Sequence, residues 1–172
     1  MTLIERLGPA STAVSSHQFL LQSESNLAAD PLVTNGLIWR CPSGGAVIYT
    51  GIADGKVMVT VERHNQMPPL QTESWEAVVE INVEAAEEGL FLSALDADRP
   101  DISPVATDPG TYRVRAHVRG RDEAYDLAVL NVVEHYLLQI WPSPPAPQTV
   151  HKHADQCSEN MTTTPEGEIS TE

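Results

Sequence analysis

The chain has 172 residues, with Lys+Arg 10 against Asp+Glu 24 and a formal net charge of −14. That length fits one domain, and a hydrophobic fraction of 41% is enough for a packed core. The acidic balance excludes direct binding to nucleic acid phosphates or to an anionic membrane, since both need clustered Lys and Arg. No apolar run approaches the roughly 20 residues that cross a bilayer. Met1 to Ala10 lacks the basic start and apolar middle of a signal peptide, so a cytoplasmic protein is expected. The two cysteines, Cys41 and Cys157, are then expected as free thiols.

Residues 1–12 read as a flexible segment, 13–142 as a single β-sandwich domain, and 143–172 as a disordered acidic tail rich in Pro, Ser and Thr. The first strand is expected over Val14 to Leu21. Leu37 to Arg40 and Ala46 to Thr50 flank a Pro-Ser-Gly-Gly turn. Lys56 to Glu62 alternates cleanly, with Val57, Val59 and Val61 on one face. Trp75 to Val83 alternates too, placing Glu76, Glu80 and Glu84 opposite Ala77, Val79 and Ile81. Gly89 to Leu95 follows, then Thr111 to Val118 after an Asp-Pro-Gly turn. Arg121 to Leu130 reads as one short helix or a crossover loop. Glu134 to Trp141 is apolar on both faces and is expected in the middle of a sheet. From Pro142 onward, prolines and polar residues leave little to bury. About eight short strands predict an all-β fold, an antiparallel β-sandwich of jelly-roll or Greek-key type.

The sequence lacks a Gly-rich phosphate loop, a paired-cysteine zinc pattern and a nucleophile elbow, so no enzyme and no cofactor is expected. His151, His153 and Cys157 have donor types that suit a soft metal, but in a tail without preformed geometry no metal site is expected. Period two places Arg113, Arg115, His117 and Arg119 in a row on one sheet face, opposite Tyr112, Val114, Ala116 and Val118. With Trp141, that row is a candidate for clamping a carboxylate, a phosphate or a carbohydrate ligand. The bland alternative is a solvated face whose arginines pair with Glu62, Glu76 or Glu80. Acidic residues form a third set: Glu76, Glu80, Glu84, Glu87 and Glu88, then Asp96 and Asp98. Neighbours in the Glu76–Glu80–Glu84 row stand about 13 Å apart at about 3.3 Å per residue, too far for a paired-carboxylate site. Such a row suits an acidic face that meets a basic protein.

Five short pieces stand in order along the chain: Ser16–Phe19, the Gly-led strand pair Gly55–Glu62, Val79–Val83 leading into Glu88–Ser93, Pro109–Tyr112, and Tyr136–Gln139. Together they resemble the competence protein J family, inhibitors of a DNA-entry nuclease. Arg113 to Asp122 and Gln139 to Pro142 instead resemble a group of uncharacterised bacterial proteins. The first resemblance implies an acidic β-sandwich that binds and silences a basic nuclease. The expectation is therefore a non-enzymatic binding or inhibitor module. The alternative is a β-sandwich that binds a small molecule or carbohydrate on its Arg113, Arg115 and His117 face.

Overall fold

Period-two alternation makes most of this chain strand, and a computed structural model describes the result for residues 3–22, 35–40, 45–86, 89–94, 105–106 and 108–161. The strands are β1 (Leu3–Val14), β2 (Gln18–Gln22), β3 (Ile38–Arg40), β4 (Ala46–Tyr49), β5 (Gly55–His64), β6 (Ala77–Ala85), β7 (Phe91–Ala94), β8 (Gly110–Arg119), β9 (His135–Pro142) and β10 (Thr149–His153). One short helix, α1 (Gln156–Met161), follows them. A six-stranded sheet has the order β1-β5-β9-β8-β6-β10, and a four-stranded sheet the order β3-β4-β2-β7. Neighbours are antiparallel except β5 and β9, which run parallel from Met58↔His135 to Arg63↔Ile140.

The two sheets bury one shared apolar core. Val57, Val59 and Val61, Val79 and Ile81, Val114 and Ala116, and Tyr136 and Leu138 line it from the larger sheet. Phe19, Leu21, Ile38, Ile48 and Leu92 line it from the smaller one. Phe19 meets Tyr136 edge-on, with ring centroids 5.1 Å apart. Each Val, Leu, Ile or Phe among them contributes roughly 1.5–3 kcal/mol by leaving water. The fold is thus the all-β, sandwich-like one expected, with ten strands among the described residues. The doubly apolar β9 does lie between β5 and β8. The stretch 121–130 takes the crossover alternative: it forms turns and makes an isolated bridge, Ala128 to Asp54, just before β5.

Two segment readings are corrected. Most of residues 1–12 is strand, because β1 pairs with β5 from Leu3↔His64 to Val14↔Gly55. Its polar residues and Pro9 disguise it, yet both suit an edge strand with irregular register, here broken between Leu7 and Ala10. Residues 143–161 are also part of the fold. β10 pairs with β6, and α1 packs its Cys157 fully inside. Polar anchors hold this segment, which is why its thin apolar content misleads. The bidentate pair of Arg121 with Asp155 (2.9 and 3.1 Å) is wholly buried. The same guanidinium donates to the Gly36 and Tyr49 carbonyls and to Ser158 Oγ. Asp155 also caps α1 by accepting from the Ser158 N–H, while Asp122 accepts from the N–H groups of Gln156 and Cys157.

Candidate functional site

The candidate face is the outer side of the six-stranded sheet. The pleat of β8 sends Val114, Ala116 and Val118 into the core, so Arg113, Arg115 and His117 emerge on the far side. Three successive registers, Glu62↔Gln139, Gln139↔Arg115 and Arg115↔Glu80, align one side chain per strand. A continuous polar row then crosses all six strands. Arg6 Nη2 donates to Glu62 Oε2 (2.6 Å), and Gln139 Nε2 donates to Glu62 Oε1 (3.0 Å). Arg115 Nη1 donates to Gln139 Oε1 (3.2 Å), while its Nε donates to Glu80 Oε1 (2.7 Å). His151 Nε2 closes the row on Glu80 Oε1 (2.8 Å).

This face is covered, not solvated, which corrects the bland reading while retaining its ion pairs. Two proline-containing straps lie over it. Arg115 Nη1 donates to the carbonyls of Pro68 and Pro69. Two residues earlier, Arg113 donates to the carbonyls of Ala146 and Pro147. Each arginine therefore clasps one strap by two main-chain oxygens, and Glu80 lies between them, 3.1 Å from Arg113 Nε. Arg113 also donates to Asn82 Oδ1 and Thr149 Oγ1, which fills every donor of its fork.

Between the straps lies a cleft of about 720 Å³. Met67 to Leu70 form one wall, Ser143, Ala146 and Thr149 another, and Glu80, Arg113, Arg115, Trp141 and His151 the remainder. The Arg115 guanidinium lies over the Trp141 ring, 5.1 Å from its centroid. Burial alone would raise the Glu80 carboxyl, but hydrogen bonds from Arg115, Arg113 and His151 outweigh it and hold it below the usual carboxylate range. Glu62 is held low against the same desolvation by Gln139, His64 and Arg6. Burial pushes the His117 imidazole down to about 4, so it is neutral near pH 7, and its Nδ1 donates to the Leu137 carbonyl.

The sequence-derived candidates thus divide. Arg113, Arg115 and Trp141 come together in the cleft. His117 instead packs against Trp75, with ring centroids 5.4 Å apart, and the Arg119 guanidinium lies over the same Trp75 ring, 5.0 Å from its centroid. The acidic row does not form one solvent-facing stripe. Glu84 is exposed, Glu76 accepts from the Gly120 N–H, and Glu80 is buried between arginines. Glu87, Glu88, Asp96 and Asp98 lie outside the described residues, as does Cys41. Among the described residues no cluster of His, Cys, Asp and Glu has metal-holding geometry. His151 serves Glu80, and Cys157 is buried in α1 with its thiol pushed by desolvation up to about 12. Sequence reasoning missed Asn82, Gln139 and both straps. The available signals were Gln139 as a polar residue within the apolar run of β9 and the paired prolines at 68–69 and 144–145.

Fold and site together define a two-sheet β protein with a buried ionic floor beneath a strapped cleft. No known protein family matches the chain, and no curated protein does either. Among solved structures, one titled "Crocagin biosynthetic gene J" is similar, with a TM-score of 0.52 and 13% identity. The match covers 82% of this chain and 100% of that one, and at this identity it establishes a shared fold alone. Among the described residues no helix is long and apolar enough to cross a membrane.

Proposed function

We propose that this chain is a non-enzymatic binding protein of the cytoplasm that seats an organic ligand in the cleft between its two proline straps. The observation that carries the reading is the cleft itself. Arg113 and Arg115 are buried, oriented by Glu80, and roofed by straps that leave about 720 Å³ open beside Trp141. A cleft of this size, with mostly apolar walls and a few fixed polar groups, suits a small molecule or a short peptide segment. The floor is built for holding rather than for proton transfer. Glu80 has both carboxylate oxygens engaged and its pKa held low, so it serves to fix two guanidiniums. A thermal-shift screen of small apolar ligands, followed by calorimetry, tests this. Binding that Trp141→Ala abolishes, with the fold intact by circular dichroism, is the expected result. Hits whose affinity ignores Trp141 and the straps would remove the cleft as the site.

The acidic-interface reading draws support from the net charge of −14 and not from Glu80. Its test is a pulldown at low and high salt, since charge-driven association weakens as salt rises.

A further inference from the structure

We infer that the ligand of the strapped cleft carries a carboxylate on an apolar body, with the carboxylate accepting from Arg115 Nη2 and Trp141 Nε1. This rests on the cleft being the binding site and goes beyond it by naming the ligand's chemistry.

The argument begins with donors. Arg115 is 1% exposed, and its Nε and Nη1 are engaged by Glu80, Gln139, Pro68 and Pro69. Among the described residues its Nη2 donates no hydrogen bond, and neither does Nε1 of Trp141, which is 3% exposed. The buried side-chain polar atom that lacks a partner among those residues is Thr12 Oγ1, so these two nitrogens are not sealed in protein. Both residues border the cleft, and they stack on one another at 5.1 Å. Two adjacent, immobilised donor groups, neither of them sealed in protein, therefore belong to residues that line the cleft. Their rigidity means little rotamer freedom is lost on binding.

Charge and acceptors narrow the class. Arg113 and Arg115 against Glu80 leave one net positive charge on the floor, inside a protein of net charge −14. The charge of the floor itself therefore favours an anion. Acceptors are scarce by contrast. The Glu80 oxygens and the Pro68, Pro69, Ala146 and Pro147 carbonyls already receive hydrogen bonds from the two arginines. A sugar's hydroxyl protons would have to share acceptors that the arginines already engage, which disfavours the carbohydrate alternative. A carboxylate brings two oxygens for two donor groups and no proton to place. The apolar body follows from the strap, where Met67 and Leu70 stand 63% and 48% exposed at the cleft wall.

Matched probes test this by calorimetry on the full chain: 4-phenylbutyrate against 4-phenylbutanamide, and the tripeptide Leu-Pro-Leu with a free against an amidated C-terminus. The carboxylate of at least one pair is expected to bind about tenfold or more tightly than its amide, the usual scale of a charge-assisted hydrogen bond. Trp141→Phe, which keeps a ring and removes the N–H, is expected to erase much of that ratio, and Arg115→Lys the rest. Preference in the first pair assigns a free organic acid, and preference confined to the second assigns a chain terminus. Equal binding of acid and amide would overturn the carboxylate inference while leaving the cleft as a binding site. Failure of all four probes to bind would overturn both. Should Arg115→Lys fail to fold, Trp141→Phe alone decides.

Discussion

Replacing Glu80 by Gln isolates the energetics of the ionic floor. Its carboxylate lies 3.1 Å from Arg113 Nε and 2.7 Å from Arg115 Nε, and the side chains of all three residues are almost wholly out of water. Gln keeps the shape but removes the charge, and turns an acceptor into an NH₂ that must face one guanidinium. Two buried cations then lose their counter-charge. Breaking a buried pair from one side typically costs about 3–5 kcal/mol, against about 0–1 for an exposed pair. For a domain this size, with a urea m-value of about 2 kcal/mol/M, the midpoint should fall by roughly 2 M. Urea unfolding followed by circular dichroism reads the loss. A loss below about 1 kcal/mol for Glu80→Gln would refute the view that Glu80 neutralises a buried floor.

The pH profile has a defined sign. His117 is lowered to about 4 from 6.5 by burial, so the unfolded chain takes up its proton first as pH falls. Its contribution is complete above about pH 6.5 and declines toward pH 4, by about 3 kcal/mol in all. His117→Gln should flatten that limb in urea titrations, and an unchanged limb would contradict the assignment. Glu62 and Glu80, both held below 4.5, add a further loss only below that value. Asp155→Ala strips the counter-charge from fully buried Arg121 and the cap from α1. Trypsin should then cut after Lys152 at least about tenfold faster, through local release of the C-terminal segment, and an unchanged cleavage rate would count against the anchor. Cys157 is fully buried with its thiol pushed up to about 12, so in a Cys41→Ser protein it should ignore a disulfide reagent at pH 8 until denaturant is added. Rapid labelling of the native protein would show the site to be open.

Where one face of a strand is apolar, the sequence is easily read. Val57, Val59 and Val61 declare the core side of β5, and the doubly apolar β9 declares its central place. The same alternation places Arg113 and Arg115 together on the outer face and brings Glu80 within reach. Their burial is not legible, because the covers come from residues 67–70 and 143–148, remote in sequence and made of prolines that read as linkers. Recognition there runs through main-chain carbonyls, which every residue carries and no composition records. The edge strand β1 hid for a related reason. An edge is stabilised by ladder hydrogen bonds along one side and tolerates polar residues and proline. The C-terminal segment is held by Arg121, a residue more than 30 positions away from Asp155, so neither half of that pair signals the other.

The parallel pairing of β5 with β9 has a consequence for how the protein comes into being. Met58 and His135, which face each other, are 77 residues apart in the chain. Until β9 emerges from the ribosome, β1 with β5 and β6 with β8 are two ladders of the larger sheet with no strand between them. β9 is the keystone strand, and closing so long a loop before any reward raises the contact order and slows folding. A nascent chain stalled before residue 135 would present two unfinished sheet edges, a natural target for a chaperone rather than a folded intermediate.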